Sequence, residues 1–304
     1  MDHIQIVAAS NNLYVPYLSV MLHSVMNYSS KSRSYAVTIL HTDITAQNQD
    51  VLTNMLRQGG FDIKFIDVTK KMYKYSNLFI SNHIKIETYF RLLLPDMLSD
   101  INKVLYIDCD VIANSDVAQL YDLDISRYYL AGTRDADSAA NYNSDADYRN
   151  YIDKVLKLKK PYEYLQAGII LMNLKKFREQ CGTKKLLDVA LSRKWRFHDQ
   201  DTLNYLCHGN ILFVDYSWNF VYDYNQYLRR STEIISKAPA YIFKDYMVAK
   251  ENPKMIHFSW IDKPWFSPGV HFGEKFWMIA RETPYYAEML VRTEESLANY
   301  IMRR

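Results

Sequence analysis

Residues 103–116 read KVLYIDCDVIANSD, and this stretch decides the fold. Positions 104–107 are apolar and favour a strand, which predicts a strand buried in a sheet. Two carboxylates, Asp108 and Asp110, follow at once with only Cys109 between them. At the end of a buried strand such a pair repels itself and loses solvation, and a divalent cation with oxygen ligands relieves both costs. The stretch therefore predicts a Mg²⁺ or Mn²⁺ site with coordination positions left for substrate phosphates.

Two other interpretations of this stretch are less favoured. An Asp-x-Asp pair alone is a weak motif, because it is common in loops and helix caps. A calcium loop of the EF-hand type requires a ligand at the position of Ile112 and a glycine at that of Ala113, so its spacing fails here. The place of the pair directly after an apolar strand favours the metal site.

The composition is that of a globular protein: 304 residues, 49% hydrophobic and 23% charged. The net charge of +3 is too small to predict a nucleic-acid partner without a concentrated basic patch. The cysteines at 109, 181 and 207 show no CxxC spacing, which argues against disulfides and zinc and favours a reducing cytoplasm. No signal peptide or membrane span is apparent in the sequence. We therefore expect a cytoplasmic protein.

Strands and helices alternate along the first part of the chain. We expect strands at 4–9, 35–40 and 61–68, with helices at 14–26 and 46–58. This β-α-β-α-β order is typical of a doubly wound, Rossmann-like nucleotide-binding half. Ligands of such sheets bind outside the carboxyl ends of the strands. The motifs GxGxxG and GxxxxGK[ST] are both missing, so neither an ordinary dinucleotide fold nor a P-loop is predicted.

The rest of the chain predicts further elements of the same kind. We expect helices at 84–94, 175–180, 184–191 and 202–207, strands at 129–132, 169–173, 211–214 and 255–258, a loop at 218–220, a polar excursion over the cleft at 138–158 with Asp145 and Asp147 solvated, and a helical tail from 272. The tail is amphipathic and ends in two arginines. A tail of this type can lie on a membrane surface, but a docking helix is favoured.

Several polar side chains stand in apolar surroundings or at element ends. Arg91 requires a partner, which is either a structural salt bridge or a phosphate or sugar hydroxyl beside the metal. Gly168 permits close approach of the backbone to a ligand, with a bulge as the equal alternative. Asp199, Gln200 and Asp201 begin a helix, and we expect one of these carboxylates to be a cap.

The last informative stretch is 254–265, KMIHFSWIDKPW. His257 lies inside a predicted strand, where a satisfied core histidine is the commoner finding. Beside two carboxylates it becomes a candidate third ligand, and imidazole suits Mn²⁺ better than Mg²⁺. Lys263 follows in a loop and could neutralise the charge of a diphosphate.

Six motifs occur in order: AASNNLYVPYLSV, ETYFRL, KVLYIDCDVI, QAGIILMNLKKFR, HDQDTLN and HFSWIDKPW. In this combination the chain resembles the retaining glycosyltransferases of family 8, which include glycogenin and bacterial lipopolysaccharide galactosyltransferases. The similarity covers about residues 4–275. It implies a GT-A type α/β fold with a mostly parallel central sheet flanked by helices. We expect a glycosyltransferase domain at 1–271, with donor half 1–132 and acceptor half 133–271, and a helical tail at 272–304.

The resemblance also assigns roles to residues. It gives Mn²⁺, with Mg²⁺ as the alternative, to Asp108, Asp110 and His257, and it places Asp135 toward the acceptor. The catalytic residues that it implies are Arg91, Asp199, Gln200 and Lys263. The residues that it implies for binding the UDP-sugar and its metal are Ala9, Ser10, Asn11, Asn12, Tyr14, Arg91, Asp108, Cys109, Asp110, Gln166, Ala167, Gly168, Asp199, Gln200, His257 and Lys263.

The chain departs from the family pattern at three places. Asn11 and Asn12 stand where the first loop usually carries aspartates, which alters but does not abolish the expected contacts to uracil. Gln166 replaces the usual asparagine, which predicts a changed sugar preference. Trp260 stands where a glycine often lets the backbone approach phosphate, so that contact is not predicted for this chain. The three metal ligands and Lys263 are present, and we expect activity.

The sequence thus predicts transfer of galactose or glucose from a UDP-sugar to a hydroxyl of a glycan on a surface polysaccharide, a lipid or a protein. Retention of configuration is expected through attack on the face that the leaving group departs from. A weak contact of the C-terminal tail with the inner face of the membrane is a further possibility. The alternatives are a non-catalytic UDP- or glycan-binding protein and a nucleotidyltransferase.

Overall fold

The computed structural model describes residues 3–80, 85–222, 230–259, 263–267 and 269–302. These residues form two sheets. The strands in chain order are β1 (Ile4–Ala9), β2 (Tyr35–His41), β3 (Phe61–Asp67), β4 (Lys103–Ile107), β5 (Val111–Ala113), β6 (Leu130–Arg134), β7 (Leu165–Asn173), β8 (Ile211–Val214), β9 (Phe220–Val221) and β10 (Met255–His257).

Helices connect the strands and flank the larger sheet. The α-helices are α1 (Val15–Tyr28), α2 (Ala46–Gln58), α3 (Thr69–Met72), α4 (Leu94–Met97), α5 (Ala118–Tyr121), α6 (Ala136–Ser144), α7 (Ala146–Asn150), α8 (Leu174–Gln180), α9 (Gly182–Leu191), α10 (His198–Cys207), α11 (Arg230–Ile235), α12 (Ala240–Glu251), α13 (Gly273–Ala280) and α14 (Tyr286–Met302). Short 3₁₀ helices cover Asn12–Tyr14, Tyr73–Tyr75, Ile86–Leu93 and Tyr216–Asn219, and a π turn covers Tyr151–Leu156.

The seven-stranded sheet has the order β3-β2-β1-β4-β7-β6-β8. The pairs among β3, β2, β1 and β4 are parallel, whereas β7 runs antiparallel to both of its neighbours. Because of this reversal, the first half of β7 lies beside the end of β4, where Ile107 pairs with Ile169. The segment 166–168 is thereby brought to the edge at which Asp108 follows β4.

The central strand β4 is buried on both faces. Leu105 and Ile107 belong to one core layer with residues of α1 and α13, and Val104 and Tyr106 belong to the other with residues of α8 and α9. Alternate side chains of a strand point to opposite faces, so an uninterrupted apolar run is what a strand covered on both sides requires. The predicted α/β class with a Rossmann-like, mostly parallel core is confirmed.

Three predicted element ends are clearly wrong. The helix predicted at 84–94 is a 3₁₀ helix over Ile86–Leu93 that continues into α4, and Ile84 lies outside the described residues. Pro95 does not stop it, because it lies in the first turn of α4, where its missing N–H has no partner to lose. Strand β7 begins at Leu165, ahead of the predicted position 169, and α10 begins at His198, ahead of the predicted position 202.

The segment 138–158, predicted as a polar excursion, is helical. It forms most of α6, then α7 and the π turn Tyr151–Leu156, and it buries Tyr148 and Ile152 in a cluster with Trp195. The prediction failed because the many polar residues of the stretch concealed apolar side chains at helical spacing.

Smaller differences concern a cap and a loop. Asp145, predicted to be solvated, accepts a hydrogen bond from the backbone N–H of Tyr148 at 3.0 Å and caps α7. The loop predicted at 218–220 is the end of a 3₁₀ helix followed by β9. The first difference is a local helix cap, and the second follows from the pairing of β9 with β10.

The tail packs back onto the domain. Met289 of α14 is buried in the core layer that contains α1. Arg292 donates a hydrogen bond to the carbonyl oxygen of Leu13 at 2.6 Å, and the hydroxyl of Tyr285 donates to Oδ1 of Asn48 at 2.9 Å. These contacts agree with a docking helix, while contact with a membrane stays a prediction. Among the described residues, no helix combines the length and apolarity needed to cross a membrane.

Candidate active site

The site forms where β4 ends and the two sheets meet. Asp108 and Asp110 occupy the short connection between β4 and β5, and the N–H of Asp108 donates to the carbonyl oxygen of Gly168 at 2.8 Å. Strand β10 pairs antiparallel with β5, which sets His257 opposite Val111. The N–H of Phe258 donates to the carbonyl oxygen of Asp110 at 2.9 Å. Backbone pairing alone therefore brings His257 to the carboxylates.

The three side chains predicted to hold a metal lie together. One ligand atom from each of Asp108, Asp110 and His257 lies within 4.8 Å of the others, and Nε2 of His257 is 3.3 Å from Oδ1 of Asp110. Two carboxylates and one imidazole form a donor set that fits Mn²⁺, and three protein ligands leave positions for further oxygen ligands. The residues present therefore fit the metal that the sequence predicts.

Lys263 gives this triad a positive neighbour. Its ammonium group donates to Oδ2 of Asp110 at 2.5 Å and to the carbonyl oxygen of Phe258 at 2.8 Å. Burial alone would raise the pKa of Asp110, but Lys263 and His257 together outweigh it and hold that pKa well below its usual range. For Asp108, burial prevails and raises the pKa of the carboxyl.

Arg91 is a buried bridge between two carboxylates. Its Nη2 lies 2.8 Å from Oδ1 of Asp108, its Nε lies 3.0 Å from Oδ2 of Asp199, and its Nη1 donates to the carbonyl oxygen of Ala167. The guanidinium lies over the ring of Tyr106, 4.1 Å from the centroid. Burial would lower the pKa of Arg91, but the two carboxylates raise it. Of the two roles open from the sequence, the salt bridge is seen here, and it orients Asp108, a predicted metal ligand.

Asp199 and Asp201 differ in their partners although both belong to α10. Asp199 accepts a hydrogen bond from the hydroxyl of Thr88 in addition to its ion pair with Arg91. Asp201 accepts from the N–H of Phe197, the residue that precedes α10, at 2.6 Å. The capping carboxylate expected in this cluster is therefore Asp201.

Gln200 is oriented by two hydrogen bonds. Its Oε1 accepts from the N–H of Ala167 at 2.8 Å, and its Nε2 donates to Oδ2 of Asp135 at 3.2 Å. The other oxygen of Asp135 accepts from the N–H of Ser138 at 2.9 Å and caps α6. Burial raises the pKa of Asp135. The residue predicted to face the acceptor thus also fixes the amide of Gln200.

The loop after β1 is held by its own amides. Asn11 accepts from the N–H of Tyr14 through Oδ1 at 3.0 Å and donates through Nδ2 to Oε1 of Glu87 at 2.9 Å. Oδ1 of Asn12 accepts from the N–H of Thr45 at 3.0 Å and from Nδ2 of Asn48 at 2.8 Å. The two asparagines predicted to bind uracil therefore already have partners within the protein.

The remaining predicted residues line the same edge. Ser10 is buried beside Ala9, and the thiol of Cys109 donates to the carbonyl oxygen of Ala9 at 3.1 Å, which joins the loops after β1 and β4. Burial raises the pKa of that thiol. Trp260 lies outside the described residues. The predicted site residues that the structure describes thus come from six places: the ends of β1 and β4, the beginning of β7, the 3₁₀ helix Ile86–Leu93, the start of α10, and β10 with the segment after it.

Gly168 makes room for an imidazole. A Cβ atom at this position would lie 2.2 Å from Cε1 of His257. That distance is too short for any residue with a side chain unless the imidazole moves. The close approach expected at this glycine is thus to the ring of a predicted metal ligand.

Three neighbours of these groups were missed from the sequence. Asn219 accepts from Nδ1 of His257 at 3.0 Å, and Glu87 and Thr88 hold Asn11 and Asp199. Glu87 and Thr88 belong to the motif ETYFRL, of which the prediction uses Arg91 alone, so the motif itself is a usable signal. Asn219 carried no signal, because its predicted loop gave no reason to place it beside His257.

A seven-stranded sheet of this order, with paired carboxylates after its central strand and a reversed strand beside it, defines a GT-A type of α/β fold. The family model for glycosyl transferase family 8 matches residues 5–269. The chain belongs to this family.

Relatives agree with this assignment. A putative glycosyltransferase from Haemophilus influenzae is 28% identical over 239 residues, which cover 78% of this chain and 69% of that protein. General stress protein A from Bacillus subtilis is 25% identical over 272 residues, or 88% of each chain. The apo structure of the bifunctional glycosyltransferase WbbM superposes with a TM-score of 0.83 at 24% identity, covering 95% of this chain and 51% of that one. The galactosyltransferase LgtC, solved with donor and acceptor sugar analogues, gives a TM-score of 0.75 at 25% identity, covering 92% and 96%.

Proposed function

We propose that this chain transfers a hexose, galactose or glucose, from a UDP-sugar to a hydroxyl group of a glycan acceptor, with retention of configuration and dependence on Mn²⁺. The observation that carries the proposal is the convergence of Asp108, Asp110 and His257 beside Lys263 at the carboxyl end of β4. The acceptor class is a surface polysaccharide, a lipid glycan or a protein glycan. Membership of family 8 supports the reaction class, and the donor set supports the metal.

The charges of the site suit a departing diphosphate. A bound Mn²⁺ would supply a Lewis acid that stabilises negative charge on the diphosphate. Lys263 holds its positive charge at the same carboxylate, Asp110, and is placed to share that stabilisation. Arg91 keeps Asp108 and Asp199 fixed, so the site needs little reorganisation when negative charge develops on the diphosphate.

The partners of Asp199 and Gln200 favour attack from the face of the leaving group. Asp199 is held by Arg91 and Thr88, and an amide such as Gln200, here turned with its oxygen to Ala167, is a poor nucleophile. In the proposed step the bond from the anomeric carbon to the phosphate oxygen breaks and the acceptor oxygen bonds to that carbon. The acceptor proton passes to the departing phosphate oxygen. Trapping a covalent glycosyl adduct on Asp199 would overturn this step.

A second candidate is a protein that binds UDP or a glycan without turnover. The observation in its favour is that the side-chain oxygens of Asn11 and Asn12 are already engaged within the protein. Such a protein would bind UDP with metal and release none from any sugar nucleotide.

Release of UDP from a panel of UDP-sugars, with and without Mn²⁺, separates the two candidates. The wild type is compared with Asp110→Ala and with Asp147→Ala, which removes an exposed carboxylate of α7. Metal-dependent release from one sugar, lost in Asp110→Ala and kept in Asp147→Ala, supports the transferase and names the donor. Binding of UDP without release from any donor supports the binding protein instead.

A further inference from the structure

We infer that Gln166 and Asn219 form a positioning relay that sets the tautomer of His257 and so its affinity for a divalent cation. The inference rests on the proposed metal site. Three hydrogen bonds carry it: Nδ1 of His257 to Oδ1 of Asn219 at 3.0 Å, Nδ2 of Asn219 to Oε1 of Gln166 at 2.6 Å, and the N–H of Gly168 to the same oxygen at 2.7 Å.

The direction of these bonds is fixed by one backbone group. The N–H of Gly168 can only donate, so the atom of Gln166 that faces it is the carbonyl oxygen. That oxygen can only accept, so Asn219 presents its NH₂ to Gln166 and its carbonyl oxygen to His257. The imidazole nitrogen that faces this oxygen therefore carries a proton. Reversing either amide would set two donors or two acceptors against each other.

The other ring nitrogen is left for a ligand. When Nδ1 of a neutral imidazole carries the proton, Nε2 keeps its lone pair. Nε2 lies 3.3 Å from Oδ1 of Asp110, so these two acceptor atoms repel each other and a shared cation would relieve the repulsion. A hydrogen bond to the non-coordinating nitrogen is the usual means by which a protein orients a metal-ligating histidine. Asn219 and His257 are both 2% exposed, so water does not substitute for a lost partner without rearrangement.

The length of Gln166 matters for the relay. Gln166 and Gly168 are two residues apart on β7 and share a face, so the side chain reaches back to the N–H of Gly168 while its oxygen also meets Asn219. An asparagine at position 166 is one methylene shorter, and we expect it to lose the bond to Asn219. The departure from the family pattern at this position therefore acts on the metal ligand, beyond any effect on the sugar.

The closing experiment uses the full, metal-free chain and needs no sugar. Mn²⁺ affinity is measured from the EPR signal of the free ion for the wild type, Asn219→Ala, Gln166→Asn and the matched control Gln180→Asn. The side-chain oxygen of Gln180 also accepts a hydrogen bond, from the hydroxyl of Tyr129 at 2.7 Å, but Gln180 lies on α8 and outside the relay. We expect Mn²⁺ binding weaker by about 10- to 100-fold in the first two variants and unchanged in the control.

The tautomer is measured separately by ¹⁵N NMR of the imidazoles, at a pH where all eight histidines are neutral. The signal of His257 is assigned by its loss in His257→Gln. We expect the proton on Nδ1 in the wild type and a mixture in Asn219→Ala. A proton on Nε2 in the wild type, or wild-type Mn²⁺ affinity in both relay variants, overturns the inference.

The two measurements distinguish failure of the relay from failure of the proposed function. If the wild type transfers no sugar, the relay is unaffected, because neither measurement includes a donor. If the wild type binds no Mn²⁺, the proposed metal site fails and the tautomer alone decides the relay. If Asn219→Ala does not fold, as judged by circular dichroism, Gln166→Asn carries the test, since Gln166 is only partly buried.

Discussion

Two regions of the molecule hold carboxylates in opposite ways. At the predicted metal site, Asp108 and Asp199 each pair with Arg91, and Asp110 pairs with Lys263. At the start of α10, Asp201 accepts hydrogen bonds from the hydroxyls of Tyr151 and Tyr164 at 2.5 and 2.6 Å and from the N–H of Phe197.

The difference shows in the acidity of Asp201 and Asp110. Burial raises the pKa of Asp201 to about 6, since neutral donors offset only part of the lost solvation. At Asp110, Lys263 and His257 outweigh the same burial and lower the pKa, whereas at Asp108 burial prevails over Arg91 and raises it. A carboxylate whose charged partner outweighs its burial stays ionised and is available to chemistry, whereas one held by neutral donors is suited to fixing a fold.

The largest effect is expected from removing the positive charge of Arg91, which pairs with both Asp108 and Asp199. Arg91→Met leaves Asp108 and Asp199 without their shared partner, and we expect a loss of about 3–5 kcal/mol in the free energy of unfolding. The matched control is Arg33→Met, which breaks an exposed ion pair: Nη1 of Arg33 lies 2.7 Å from Oδ2 of Asp122. Loss of this pair should cost at most about 1 kcal/mol. Urea denaturation measures both. Equal losses in the two variants would contradict the role given to Arg91.

The second-largest effect on the free energy of unfolding is expected at Asp201, whose hydrogen-bond donors are all uncharged. Asp201→Asn replaces an acceptor of three hydrogen bonds by a group that must turn an NH₂ toward one of the donors, at a cost of about 1.5–3 kcal/mol at neutral pH. Urea denaturation at pH 7 measures the loss. Asp188→Asn, which alters an exposed i,i+4 pair on α9, is the control and should change stability little.

The pH dependence of that variant sharpens the comparison. The folded-state pKa of Asp201, about 6, lies above that of an unfolded aspartate. The group therefore contributes most stability below the unfolded value and loses it as the pH rises through 6. We expect the difference in unfolding free energy between wild type and Asp201→Asn to be larger at pH 4 than at pH 7. A difference that grows with pH would show that the carboxylate form is the one preferred in the fold.

A smaller effect is expected from a side chain added at Gly168, beside the imidazole of His257. Gly168→Ala places a methyl group against the imidazole of His257, and we expect about 1–3 kcal/mol of destabilisation with weaker Mn²⁺ binding. Gly269→Ala is the control, because a Cβ there meets nothing within 4 Å. Thermal unfolding and Mn²⁺ EPR measure the two quantities. Wild-type Mn²⁺ binding by Gly168→Ala would mean that His257 has more freedom than its packing suggests.

The smallest effect is expected in the loop after β1. Asn11→Asp introduces the residue type usual in the family but sets a second carboxylate against Glu87, whose oxygen now lies 2.9 Å from the amide nitrogen. We expect a loss of about 1 kcal/mol, reversed in the double variant Asn11→Asp/Glu87→Gln. UDP binding and urea denaturation of the two single variants and the double variant form the test. Additive losses would show that the two side chains do not interact.

The parts of this molecule that could be predicted from sequence are those fixed by local pattern. The apolar run before Asp108 fixed both the central strand and the place of the carboxylates, and the family motifs located His257 and Lys263. Partners set by distant pairing could not be predicted, because Asn219 meets His257 only through the pairing of β9 with β10. The helical character of 138–158 was missed because its apolar side chains are spread among many polar ones.

The contact between Arg292 and Leu13 has a consequence for synthesis of the protein. The two residues are 279 positions apart, so the loop after β1 leaves the ribosome without this hydrogen bond and gains it only when α14 has also emerged. A segment made early is thus braced by a helix made much later. A nascent chain stalled before Arg292 should fold its sheet and yet hold that loop less firmly than a chain that includes α14.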